Sequence, residues 1–116
     1  MQEKRFHEEL KSLIDAFINN IYKVTKAFPK DELYGVTSQI RRATLSIMLN
    51  YIEGYARGFK KVDRQFLGYS YGSLKEAEYL IQFSYKASYL SQRNYQILLK
   101  QADRIGAMLW STIKNL

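Results

Sequence analysis

The sequence predicts an all-α fold: an antiparallel, up-down, left-handed four-helix bundle in a single domain. Three observations predict it. The chain is 116 residues long, a one-domain length that buries about two-thirds of the surface its unfolded form exposes. Apolar residues recur at helical spacing in four segments, about 4–28, 36–57, 63–89 and 92–114. Between them lie short polar breaks, one of which holds the only proline, Pro29. No strand pattern, internal repeat, linker or low-complexity segment interrupts the series.

In the first segment Phe6, Leu10, Leu13, Phe17, Ile21, Val24 and Phe28 alternate in steps of four and three, the spacing of a left-handed bundle. Pro29 stops the helix, and Asp31 or the Tyr34-Gly35 turn leads into the next. Leu33 and Tyr34 are expected to fold back onto the bundle end. His7, the only histidine, stands one turn after Glu3 and reads as half of a solvated pair near a fraying end. One histidine without clustered carboxylates does not make a metal site.

The second helix is unusual. Gln39, Arg42, Ser46, Asn50, Glu53 and Arg57 form one narrow polar stripe. The apolar remainder spans roughly 240° of the helical wheel, where a one-sided core helix needs about 100° or slightly more. One small bundle cannot bury that much, and such an excess points to a partner. Arg41 falls inside the apolar arc, beside Met48 and Ile52. It reads either as a snorkelling side chain or as a hydrogen-bond donor to a second subunit.

Residues 58–62 form a basic turn in which Lys60 and Lys61 join Arg57 and Arg64, with Tyr55 and Phe59 close by. Cations interleaved with aromatics suit single-stranded nucleic acid, although four basic residues in a turn are more often plain solvation. Asp63 is a candidate N-cap for the third helix. Its core stripe reads Phe66, Ser70, Leu74, Ala77, Ile81 and Ser84, widened by further apolar residues. Gly68 and Gly72 lie mid-helix, each costing roughly 1 kcal/mol against alanine, and Gly54 is expected level with Gly68. Ser73 reads as surface. Ser91 is a candidate N-cap for the fourth helix, whose stripe is Tyr95, Leu98, Leu99, Ala102, Ile105, Leu109, Trp110, Ile113 and Leu116. The first and fourth helices are therefore one-sided, the second and third two-sided.

The runs FPKDELYGVTSQIRRA (28–43), SI-x-x-N-x-x-EGYAR (46–57) and FL-x-x-x-x-GSLKE (66–76) resemble the four-helix-bundle proteins encoded in intervening sequences of bacterial large-subunit ribosomal RNA genes, the S23 family. The departures are Met48, where the family usually has proline, and Tyr51-Ile52 and Ala56, where it prefers Ile-Ala and glycine. The resemblance runs from about residue 10 to the C-terminus. It implies a left-handed bundle, assembly into a ring of identical subunits, specifically a pentamer, and no established enzymatic activity. It extends distantly to the accessory protein of diversity-generating retroelements, which binds nucleic acid and a reverse transcriptase.

The net charge is +7 and unevenly placed. Residues 1–34 carry six basic and six acidic side chains, whereas residues 35–116 carry twelve basic and five acidic. Such an excess favours polyanions. There is no cysteine, hence no disulfide, thiolate nucleophile or cysteine metal site. The charged N-terminal run MQEKRFHEELK is unlike a signal peptide, and no apolar run approaches about 18 residues. A cytoplasmic protein without membrane contact is expected. No serine has a base beside it, and the carboxylates are scattered, so the chain reads as no enzyme, with no cofactor and no metal.

The sequence therefore leads to a self-associating bundle that binds RNA or DNA through Arg41, Arg42, Arg57, Lys60, Lys61 and Arg64. Its oligomer interface is expected at Arg41, Leu45, Met48, Leu49, Ile52, Tyr55, Tyr71, Tyr79 and Phe83. The alternative is a protein-interaction accessory subunit for a nucleic-acid enzyme such as a reverse transcriptase.

Overall fold

Four long helices fill the computed structural model, which describes residues 2–56 and 63–116: α1 (Gln2–Thr25), α2 (Val36–Ala56), α3 (Arg64–Lys86) and α4 (Gln92–Lys114). Their connections are short, so consecutive helices run antiparallel. Each packs on its two neighbours in the order α1–α2–α3–α4–α1, and the diagonal pairs do not approach. No strand occurs among the described residues.

The core is a continuous column. Leu10, Ile14, Phe17 and Ile21 of α1 meet Ile40, Ile47 and Tyr51 of α2, Leu67, Leu74 and Ile81 of α3, and Leu98, Ile105 and Leu109 of α4, all essentially inaccessible. On α1 this corrects the expected stripe. Phe6, Leu13 and Val24 are only half-buried, while Ile14, Ile18 and Thr25 are buried. On α3, Leu67 rather than Phe66 takes the core position. The reason lies across the seam: α2 carries glycine at 54, and the space its missing side chain leaves holds Leu67. A Cβ there would sit 3.0 Å from Leu67 Cδ2 and 3.4 Å from the Asp63 carbonyl. Gly54 thus faces Leu67 rather than its neighbour Gly68, at which a Cβ would meet nothing within 4 Å.

α2 and α3 make the closest of the four seams. Small polar residues line it. Ser70 Oγ donates to the Ile47 carbonyl (2.7 Å), and Ser73 Oγ donates to Ser46 Oγ (2.9 Å). Ser73 is therefore half-buried rather than a surface residue.

The caps follow ordinary chemistry. The Asp63 side chain accepts from the Gln65 amide (3.0 Å), and Ser91 Oγ accepts from the Asn94 amide (3.1 Å). α2 is capped from further away. After Pro29 the chain makes a 3₁₀ turn (Lys30–Glu32), and Glu32 Oε1 accepts the Val36 amide at 3.3 Å. Gly35 permits this, since a Cβ at that position would lie 2.5 Å from Glu32 Oε1. The other carboxylate oxygen accepts from the Tyr89 hydroxyl at 2.7 Å, tying the two connections at this end together. Leu33 and Tyr34 do not fold back. They stand 50% and 93% exposed, because Phe28 and Tyr89, with ring centroids 5.5 Å apart, already close the bundle end.

α3 ends in a Schellman motif. The Tyr89 amide donates to the Ser84 carbonyl (2.8 Å) and the Ser88 amide to Tyr85 (3.0 Å), with Ser88 at φ 67°.

Candidate functional site

The polar stripe of α2 turns toward α3, since Ser46 and Asn50 are half-buried at that seam. The opposite flank of α2 packs on α1, where Arg41 meets Thr25, and Tyr51 and Tyr55 meet His7. What remains is an outer face bearing Leu45, Leu49 and Ile52, which are 39%, 64% and 44% exposed. These three recur in steps of four and three, so they form one row along the helix. Arg42 lies one turn before Leu45 and is also exposed. A second apolar pair, Tyr79 and Phe83, stands exposed one turn apart on α3.

Other residues expected at an interface have work inside the protomer. Met48 is half-buried against the core. Tyr71 is half-buried, its ring 5.7 Å from Trp110 and 5.1 Å from Lys75 Nζ. Trp110 is half-exposed, although the α4 stripe placed it in the core. It sits at the edge of that stripe, against Tyr71. Leu116, at the stripe's far end, is equally exposed.

Of the six expected cationic residues, three are described: Arg41, Arg42 and Arg64. Arg41 Nε donates to Thr25 Oγ1 at 2.9 Å, its guanidinium lies 4.7 Å from the Tyr22 ring centroid, and Nη2 reaches the Tyr22 carbonyl at 3.5 Å. It is neither a snorkelling surface residue nor one aimed away from its own chain. It clamps the C-terminal end of α1, where a cation also complements the helix dipole. Arg42 and Arg64 are exposed on α2 and α3. Arg57, Lys60 and Lys61 lie outside the described residues, as does Phe59.

A polar cluster that the sequence reading placed in solvent forms at the end of the bundle where α1 begins. His7 is half-buried, with Nδ1 2.5 Å from the Tyr51 hydroxyl and its ring 4.4 Å from that of Tyr55. Burial lowers the His7 pKa below 6.5, against the opposing pull of Glu3, whose carboxylate lies 3.9 Å from Nε2. The neutral imidazole shares a hydrogen bond with the Tyr51 hydroxyl through Nδ1, its direction set by the tautomer. Burial, followed by the neighbouring Tyr55, pushes the Tyr51 phenol well above its usual range, and burial raises Tyr55 as well. Both phenols therefore stay protonated near neutrality. A recess of about 310 Å³ opens beside the cluster, with Glu3, Phe6 and Tyr55 in its wall. His7, Ser111 and Thr112 line the same recess; the imidazole is engaged by the Tyr51 phenol, and Thr112 Oγ1 donates to the Met108 carbonyl at 2.9 Å. Sequence spacing held a sign of it. His7, Ile14, Ile18 and Thr25 follow one another at intervals of seven, four and seven, a second ridge beside the stripe read from Leu10 and Phe17.

No group of three His, Cys, Asp or Glu side chains converges on a common point among the described residues. No helix among them is long and apolar enough to cross a membrane.

The sequence profile of the 23S rRNA-intervening sequence protein family matches residues 9–111. A crystal structure of a protein with unknown function from the S23 ribosomal protein family of Bacteroides thetaiotaomicron superposes with a TM-score of 0.80. It is 21% identical, and the alignment covers 90% of this chain and 98% of that one. At that identity the likeness shows a common fold. No curated protein sequence matches the chain.

Proposed function

Since this chain belongs to the 23S rRNA-intervening sequence protein family, we propose that it is a non-catalytic helical bundle that self-associates and binds RNA or DNA through a basic surface. The observation that carries the reading is the row Leu45, Leu49 and Ile52 on α2. Three aliphatic side chains in a continuous line, on a helix whose other sides are already packed, form a face that association would cover. The resemblance seen in the sequence suggests a ring, and a pentamer, as the form of that association.

The nucleic-acid half rests on charge. The whole excess of +7 lies after residue 34, and in an assembly of identical subunits each basic surface is repeated and its field adds. Exposed Arg42 and Arg64 belong to it, together with Arg57, Lys60 and Lys61. Arg41, already clamped onto α1, is the least available of the six.

Electrophoretic mobility shift with a structured RNA and with duplex DNA, repeated at rising salt, tests this half. Binding at low salt, weakening steeply as salt rises, is expected. Lys60→Ala/Lys61→Ala/Arg64→Ala should weaken it for all sequences alike. No shift at low salt, or a triple variant that binds as well as the parent, would remove the nucleic-acid reading. A protein complex that survives nuclease treatment would favour an accessory subunit instead, with the α2 row as its docking face.

A further inference from the structure

The balance of charge over residues 1–34 conceals a segregation. Residues 1–15 carry four acidic and three basic side chains, whereas residues 16–30 carry three basic and none acidic. Residues 79–102 likewise hold Lys86, Arg93 and Lys100 with no acidic side chain. α1 and α4 pack together and run antiparallel, so the fold lays these two acid-free stretches side by side at the end of the bundle where α4 begins.

The seam opens there. Further along, Arg104 pairs with Glu9, and Asn20 Nδ2 donates to Gln101 Oε1 at 3.0 Å, closing α4 onto α1. Beyond Asn20 a groove of about 700 Å³ runs between the two helices. Lys23 lines it from α1, Arg93 and Asn94 from α4, with Val24 and Ile97 as apolar lining. Lys23 and Arg93 are exposed and make no ion pair among the described residues. Folding accounts for Lys23, whose charge complements the C-terminal end of α1. It does not account for Arg93. That residue lies in the first turn of α4, where a cation opposes the helix dipole and no acidic side chain offsets it. The Asn94 side chain makes no hydrogen bond among the described residues.

We infer that the α1–α4 groove holds a single strand of nucleic acid, with Lys23 and Arg93 on its phosphates and the Asn94 amide on a base edge. Cations fix a strand by its backbone, and amide side chains can pair with bases. Neighbouring helices stand about 8–10 Å apart, so the groove admits one strand, while a duplex reaches only its rim. The inference rests on the nucleic-acid reading above but assigns it a site of its own. Ala56 and Arg64, which flank the basic turn, lie at the opposite end of the bundle.

Fluorescence anisotropy with a labelled strand of about 12 nucleotides, as RNA and as DNA of the same sequence, tests the groove across a salt series. Lys23→Ala/Arg93→Ala should weaken binding at least tenfold and flatten the logarithmic salt slope by about 1.4, the share of two phosphates on a single strand. Lys4→Ala/Lys114→Ala removes the same charge at the far end and should weaken binding less than about threefold. Asn94→Ala should weaken it severalfold with the salt slope unchanged, since no phosphate contact is lost. Both double variants should melt within a few degrees of the parent, as none of the four side chains holds a contact in the fold. Unlabelled single strand should compete at least tenfold better than its duplex. A parent that binds while Lys23→Ala/Arg93→Ala binds equally well, or loses no more than Lys4→Ala/Lys114→Ala, would overturn the groove and leave the nucleic-acid reading standing. Duplex competing as well as single strand would overturn the groove alone. A parent that binds no strand at low salt would overturn the groove, and with no shift on structured RNA or duplex either, the reading as well. An acidic protein held through Lys23 and Arg93 after nuclease treatment would overturn the groove's assignment in favour of that partner.

Discussion

Replacing Leu45, Leu49 and Ile52 together by glutamine separates a partner-covered face from an exposed one. Leu and Gln have nearly equal helix propensity, and Ile is slightly poorer, so the helix itself is little changed. The three side chains make no contribution to the buried core, and each is more than a third exposed. Covering a whole aliphatic side chain is worth about 1.5–3 kcal/mol, so covering the exposed fractions of these three is worth about 2–4 kcal/mol to an interface. The triple variant should therefore raise the dissociation constant by ~30- to 1000-fold. Its unfolding free energy as a separate subunit should shift by no more than about 0.5 kcal/mol for each substitution, the usual size of a surface effect. Sedimentation velocity gives the first quantity. Denaturant unfolding at a concentration where the variant is dissociated gives the second. A folded triple variant that associates as tightly as the parent would refute the reasoning, because the row would then be plain solvent-facing surface.

Three further outcomes follow from the packing. Gly54→Ala should lose about 1 kcal/mol net in denaturant unfolding, because overpacking of about 2 kcal/mol against Leu67 outweighs the ~1 kcal/mol helix gain. Ser88→Gly should gain about 0.5–1 kcal/mol, since Ser88 holds φ 67° in the Schellman turn and only glycine adopts that conformation freely. His7 makes stability depend on pH. Its folded pKa lies below 6.5, so the unfolded chain binds the proton first, and stability is lost as pH falls through 6.5 until the folded histidine is itself protonated. Denaturant midpoints from pH 8 to 5 should show that loss, and His7→Gln should remove this part of the slope.

The helix count, the connections, the two side-chain caps and the exposed row on α2 were legible in the sequence. Each depends on periodicity or turn chemistry within a few residues. The α2 wheel shows an apolar arc too wide for one core; the structure divides it into a core flank containing Ile40, Ile47 and Tyr51 and an outer one containing Leu45 and Leu49. What was not legible depends on which residue of a neighbouring helix arrives at the same level. Phe66 and Leu67 are equally apolar, and only Gly54 across the seam selects Leu67. Arg41 looks like a misplaced cation until Thr25 and Tyr22 of α1 appear beside it. His7 looks terminal and solvated because its partners, Tyr51 and Tyr55, are more than forty residues away. Leu33 and Tyr34 were expected to close the bundle end, but Phe28 and Tyr89 had taken the position. The basic turn at 58–62 lies outside the described residues, so the six cations remain a grouping made by sequence.

Self-association is the central claim of the proposed function, and molar mass in solution tests it most directly. Light scattering coupled to size exclusion, on the unmodified chain across a hundredfold range of concentration, should return a multiple of 13.7 kDa. A mass of 13.7 kDa throughout that range, with the chain folded, would contradict it.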